Sequence, residues 1–277
     1  MNKVSELLDA AAALSQEAAT DAPLILAHVL GKDRSWLYAW PEYRLDDKAL
    51  AQYKSLLQRR LDGEPLAYLT CHREFWSLDL LVTPATLIPR PETELLVEAA
   101  LDLPLQQARV VELGTGSGPI ALALASERPH WRITATDISE EVLEVAARNA
   151  KRLQATNIRL LRSHWFEFLP GNQPYQLITS NPPYVAEGDP HLLEDGLPHE
   201  PAAALTAGPD GLNDLRIIVA GAPDFLQPGG WLMVEHGMDQ GAAVRRLFGA
   251  AGFEAVETRQ DLERRDRITF GCYSRSP

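Results

Sequence analysis

Little in this composition commits the chain to a special environment. Its 277 residues include only two cysteines, Cys71 and Cys272. They stand too far apart in sequence for a disulfide framework or a zinc spacing. No apolar run reaches membrane-spanning length, and the N-terminus lacks the basic-then-apolar pattern of a secretion signal. A soluble, cytoplasmic protein is the expectation, with no membrane partner. Positive charge is short as well: 26 Lys and Arg face 38 Asp and Glu, for a net −12. That balance, without a Lys/Arg cluster, disfavours tight sequence-independent contact with a phosphate backbone, although a local basic patch can sit on an acidic protein. No internal repeat or low-complexity segment stands out. What remains is 45% apolar and 23% charged, close to globular averages and enough for a sizeable core.

From Val4 to about Leu61 the periodicity is helical. Leu7, Leu8, Ala11 and Leu14 recur at helical spacing; Thr20-Asp21 predicts the start of a second helix with Pro23 in its first turn and Gly31 at its end; Asp46-Asp47 opens a third that closes near Gly63. Trp36, Tyr38 and Trp40 read as core of this helical region, with a partner-facing surface as the alternative. Residues 74–82 are strand-like and end at Pro84. The proline-locked stretch Leu87–Glu94 follows, either a stiff connector or the wall of a ligand pocket through Arg90-Pro91-Glu92-Thr93. The expected division is a helical domain over 1–70, a hairpin linker over 71–94 and a catalytic domain over 95–277.

From Arg109 onward strands and helices alternate. Strands are predicted at Arg109–Leu113, Trp131–Asp137, Ile158–Ser163, Tyr175–Asn181, Gly230–His236, Phe253–Thr258 and Arg267–Tyr273. The rhythm implies a largely parallel sheet with helices on both faces, closed by an antiparallel hairpin at one edge.

Two stretches carry chemistry. After the first of these strands comes Glu112-Leu113-Gly114-Thr115-Gly116-Ser117-Gly118-Pro119. A dinucleotide fingerprint would require glycine at position 119. Proline stands there instead, and Gly-x-Gly-x-Gly suits a ligand with a small charged amino-acid group and a ribose. Glu112 is placed to hold an ammonium and would repel a pyrophosphate; Asp137, ending the next strand, is placed for two ribose hydroxyls. Trp165, ending the third strand, is a ring able to stack on adenine. The second stretch is Asn181-Pro182-Pro183-Tyr184, in which the prolines fix the direction of two successive carbonyls and an aromatic ring comes next. It makes a site for a planar group bearing an NH2, although Asn-Pro is also ordinary turn chemistry.

Taken together, Leu113–Gly118 and Asn181–Tyr184 resemble a class I S-adenosylmethionine-dependent methyltransferase acting on a planar nitrogen. Arg73-Glu74-Phe75-Trp76, Leu87–Glu94, and His199-Glu200-Pro201 running on to Gly208-Pro209-Asp210-Gly211-Leu212 narrow the resemblance to the peptide chain release factor glutamine methyltransferase family (the HemK family), over essentially the whole chain. It implies an α/β fold: a Rossmann-like seven-stranded mostly parallel sheet with a small N-terminal all-helical domain. It also implies S-adenosyl-L-methionine as cofactor and, as substrate, the glutamine of the Gly-Gly-Gln motif in class 1 release factors, bound by a monomer without direct nucleic acid contact. Glu112, Gly114, Thr115, Gly116, Ser117, Gly118, Asp137, His164, Trp165 and Asn181 would bind the cofactor; Asn181, Pro182, Pro183 and Tyr184 would bind substrate, with Asn181, Pro182 and Tyr184 catalytic. No metal site is implied: His191, Glu194, Asp195, His199 and Glu200 lack a ligand order and read as a solvated lid, and Glu235-His236 as a polar strand terminus. Rival readings are a glutamine methyltransferase of a ribosomal protein, an adenine N6 methyltransferase of nucleic acid, for which a basic face is missing, and a non-catalytic scaffold.

The family usually carries an acidic residue where His164 stands. Neutral imidazole accepts a hydrogen bond and imidazolium does not. Cofactor affinity should therefore weaken as pH falls through the histidine range; dissociation constants that are equal at pH 5.5 and 8, and unchanged by His164→Asp, would refute this.

Overall fold

The computed structural model describes residues 2–171, 174–193 and 196–274. It divides into two compact units, Met1–His72 with Leu193–His199, and Arg73–Leu192 with Glu200–Pro277.

The first unit contains α1 (Val4–Ala12), α2 (Gln16–Leu30), α3 (Arg34–Ala39), α4 (Asp47–Leu61) and α5 (Leu66–Thr70). Leu7, Ile25, Leu26, Leu37 and Tyr53 form its core. Asp46 caps α4 by accepting the Ala49 N–H, as its sequence predicts. The start of α2 differs from expectation. Ser15 is its cap, accepting the Ala18 N–H, while the Thr20 hydroxyl bonds back to the Gln16 carbonyl, so Pro23 lies inside the helix and forfeits one ladder bond there. The aromatic expectation is corrected too. On the short α3 only Leu37 is buried; Trp36 is half-buried, and Tyr38 and Trp40 are each 59% exposed.

The second unit opens with a two-stranded hairpin, β1 (His72–Phe75) and β2 (Leu78–Leu81), turned by Trp76 and Ser77, both at positive φ. Next come α6 (Glu94–Leu101), β3 (Arg109–Leu113), α7 (Pro119–Glu127), β4 (Arg132–Asp137), α8 (Glu140–Arg152), β5 (Ile158–Arg162) and β6 (Tyr175–Ser180). After a long loop stand α9 (Asn213–Gly221), β7 (Leu226–Glu235), α10 (Gly241–Ala250), β8 (Phe253–Gln260) and β9 (Asp266–Tyr273). The seven-stranded sheet has the order β5-β4-β3-β6-β7-β9-β8. Its first five strands are parallel, and β9 is antiparallel to both β7 and β8. The last hairpin therefore lies at the edge as expected, with its second strand inserted inward. β7 begins earlier than its sequence suggests, because a register shift opposite Tyr175–Leu177 lets Pro228-Gly229 stay in the strand.

Alternation along the strands feeds two apolar layers. Val110, Leu177 and Met233 pack with α6 and α7, whereas Val111, Ile178, Leu232 and Val234 pack with α9 and α10. Asn149 on α8 is fully buried. Its Nδ2 donates to the Leu81 and Ser117 carbonyls and its Oδ1 accepts the Leu81 N–H, fastening the hairpin to the glycine loop. Asn149→Ala should cost roughly 3 kcal/mol, since backbone groups buried without partners lose about 1–3 kcal/mol each; urea unfolding measures it, and a loss under 1 kcal/mol would contradict this anchoring.

Candidate active site

The cavity forms where β3, β4 and β6 end. Beyond Leu113 the chain turns through Gly114, Gly116 and Gly118, all at positive φ. A Cβ at Gly118 would come within 2.9 Å of the Leu122 side chain, and one at Gly114 within 3.4 Å of the Trp165 ring. Glycine is thus required for helix packing at one position and for a close ring contact at the other. The Thr115 N–H donates to the Thr136 carbonyl at 2.7 Å, and the Gly116 N–H to Asp137 Oδ2 at 3.1 Å, tying the loop to the end of β4.

Glu112 points into the opening turn of α7. Its Oε2 accepts the Thr115 hydroxyl at 2.6 Å and the Ala121 N–H at 3.0 Å, a position the helix dipole favours for negative charge. Burial nevertheless dominates and pushes its carboxyl up to about 8. Asp137 is also raised by burial, against the N–H groups of Ser139 and Gly116 that favour its ionised form.

A cavity of about 520 Å³ is lined by Glu112, Gly114, Thr115, Gly116, Ser117, Asp137, His164, Trp165, Asn181 and Pro183, together with Arg90, Thr93 and Asp214. That is an ordinary size for a small-molecule pocket. Gly118, Pro182 and Tyr184 are not on its wall. Asn181 Nδ2 donates to Thr93 Oγ1 at 3.1 Å, which leaves its Oδ1 as the free acceptor. Tyr184 is turned inward. Its hydroxyl donates to Glu235 Oε1 at 3.1 Å, its N–H bonds to the Leu205 carbonyl, and its carbonyl accepts from Gln240. Burial and the Glu235 charge hold that phenol far above its usual range.

The sequence offers Thr93 only within a possible pocket wall and Glu235 only as a polar strand terminus; both are buried polar groups beside Asn181–Tyr184. Burial pushes the Glu235 carboxyl up to about 7 against the hydrogen bond from Tyr184, and its Oε2 is buried without a partner. Glu200 belongs to no lid: its carboxylate accepts the Ile88 N–H at 3.0 Å and pairs with Arg90, fixing the Leu87–Glu94 stretch as cavity wall. Glu194 and Asp195 lie outside the described residues. Only their wide separation in sequence hid the Thr93–Asn181 and Arg90–Glu200 pairs.

A parallel sheet with an inserted last strand, a glycine loop after β3 and acids ending β3 and β4 define a class I S-adenosylmethionine-dependent methyltransferase. The donor set fits that cofactor: Glu112 Oε1 takes no bond from the protein, and the buried Ser117 hydroxyl on the cavity wall has no partner.

Comparisons with known proteins agree. Residues 1–70 match the family model of the PrmC N-terminal domain and residues 91–208 that of the methyltransferase small domain. The release factor glutamine methyltransferase of Pseudomonas aeruginosa is 52% identical over 261 residues, 94% of each chain. That of Escherichia coli is 48% identical over 260 residues, again 94% of each. A methyltransferase from Pyrococcus furiosus shares the fold, with TM-score 0.55 and 19% identity over 80% of this chain and all of that one. The chain belongs to the release factor glutamine methyltransferase family.

Two buried acids shifted upward have a consequence for stability. Between about pH 5 and 8 the folded chain keeps protons on Glu112 and Glu235, raised to about 8 and 7, that the unfolded chain has released. Stability of the ligand-free protein should therefore fall as pH rises through that window. Thermal unfolding at pH 5.5 and 8 should show this, with a smaller difference in Glu112→Gln; an unchanged difference would mean that Glu112 titrates alike in both states.

Proposed function

We propose that this chain methylates the side-chain amide nitrogen of the glutamine in the Gly-Gly-Gln motif of class 1 release factors, acting as a cytoplasmic monomer without direct nucleic acid contact. Substrate recognition by residues 1–70 is part of the proposal. The observation that carries it is the Asn181 amide, whose Nδ2 is committed to Thr93 so that Oδ1 alone is left to accept. An acceptor fixed in this way beside a cofactor-sized cavity matches a carboxamide NH2.

Glu112 Oε1 would hold the cofactor's ammonium, while Asp137, whose carboxylate has lone pairs beyond those used by Gly116 and Ser139, would accept the ribose hydroxyls. The loop 114–118 would bring backbone close to the bound molecule, Trp165 would lie against adenine and His164 would accept from its amino group. When bound, S-adenosylmethionine supplies an electrophilic methyl carbon on a positive sulfur.

A carboxamide nitrogen is a poor nucleophile because its lone pair is delocalised into the carbonyl. The residues here answer that by placement. Asn181 Oδ1 and the Pro182 carbonyl accept the two amide hydrogens and favour positive charge building on nitrogen. Pro183 shapes the wall, and Tyr184, pinned through its hydroxyl, fixes the amide plane. The surplus proton leaves to water after transfer, so no dedicated base is needed.

Incubation with methyl-labelled cofactor and, in parallel, a release factor, a large-subunit ribosomal protein or DNA tests the proposal. Label on the release factor glutamine is expected; label only on either of the others overturns it. Asn181→Ala should lower kcat by roughly a hundredfold or more, with the cofactor dissociation constant changed less than about threefold. A variant that keeps normal turnover would remove this mechanism.

A further inference from the structure

Pro182 and Pro183 carry no N–H, so between Asn181 and Val185 only Tyr184 offers a backbone donor. The Pro182 carbonyl, an acceptor for the substrate amide in the reaction proposed above, therefore gains no hold from donors on the prolines. Its position has to be set from Tyr184. There the N–H donates to the Leu205 carbonyl at 3.2 Å, and the carbonyl accepts from Gln240 Nε2 at 2.9 Å.

Gln240 stands half-buried just before α10, and its amide can face only one way. Oε1 accepts the Gly237 N–H at 2.8 Å, while the Gln240 N–H returns to the Gly237 carbonyl at 3.0 Å. That leaves Nε2, a donor with two hydrogens, among three carbonyls: Tyr184 at 2.9 Å, Asp210 at 3.3 Å and Gly211 at 3.4 Å. The turn carrying Gly211 comes so close that a Cβ there would collide with the Tyr184 carbonyl. Resting on the activity proposed above, we infer that Gln240 is a positioning residue for methyl transfer: by holding the Tyr184 carbonyl between the end of β7 and the 208–211 turn, it fixes where the Pro182 carbonyl meets the amide being methylated.

The prolines carry this hold inward. Each locks its own φ and restricts the residue before it, so little freedom separates the Tyr184 carbonyl from Pro182. The other holds on the motif are on side chains, Thr93 on the Asn181 amide and Glu235 on the Tyr184 ring. Beyond Tyr184 the chain runs on as a short parallel pair: the Val185 N–H reaches the Leu205 carbonyl at 2.9 Å, and the Ala207 N–H the Val185 carbonyl at 3.0 Å. Gln240 thus joins the turn after that pair to the carbonyl before it. It lies off the cavity wall, so its loss should disturb the acceptor and leave the cofactor's seat alone.

Gln240→Glu is the test, because it keeps the shape and the acceptor for the Gly237 N–H but sets an oxygen against three carbonyls. Expected is a fall in kcat of about tenfold to a hundredfold, with KM for the release factor and the cofactor dissociation constant within about threefold of the parent. Gln240→Met, which has no N–H to give, should lose about as much and decides the matter if Gln240→Glu does not fold. Val244→Ala is the control. It truncates a fully buried side chain on the same helix, loosening α10 without touching these carbonyls, and should keep kcat within about threefold. Parental kcat in either folded Gln240 variant, a loss in Val244→Ala as large as theirs, or a loss that appears in the cofactor dissociation constant in place of kcat overturns the inference. A parent that fails to methylate release factor at all would instead overturn the proposed function, so the two failures are told apart.

Discussion

Strand β3 is paired in parallel register on both sides, with Leu113 level with Thr136 of β4 and with Ser180 of β6. This registration brings the cavity residues together. Because three strands end at one height, the glycine loop after β3, Asp137 closing β4 and Asn181 after β6 all arrive in one place. The register is enforced by the core, because neighbouring residues serve opposite layers. A slip of one residue would move Val110 and Val111 each to the wrong side of the sheet.

At the ends of the strands the cavity trades stability for preparedness. Glu112 and Glu235 are each 1% exposed, and burial works against the ionised form of both. Each is given partial compensation, Glu112 by Thr115 and the first turn of α7, Glu235 by Tyr184. At Glu112, on the cavity wall, compensation that stops short of completion leaves Oε1 as an acceptor for an incoming ligand, which is the usual electrostatic signature of a working site.

Legibility in the sequence depended on the range of the interactions. The strands from Arg109 onward, the capped start of α4 and the glycine loop are written locally, in alternation, capping residues and turn chemistry, and the structure holds them within a residue or two of expectation, apart from the early start of β7. Local signals misled where two competed. Thr20 and Ser15 are both capping types, and Ser15 prevails because Thr20 bonds back to Gln16. The aromatic residues of α3 look like core, yet a helix of six residues buries only one narrow stripe, and Leu37 takes it. The motif residues announced an acceptor at Asn181 but could not announce its support. Thr93 is 88 positions away, Glu200 is 110 from Arg90, and Glu235 is 51 from Tyr184. No short-range pattern encodes pairs that only the folded sheet creates.

The place of β9 between β7 and β8 shapes the birth of the molecule. As a nascent polypeptide leaves the ribosome, β7 and β8 are both made before the strand that must join them. Until Asp266–Tyr273 has emerged, β7 offers a row of unsatisfied amides and carbonyls to any passing chain. The sheet of this unit can therefore close only after the last of its strands has been translated, and a polypeptide stalled short of it would be an early target for chaperones and proteases.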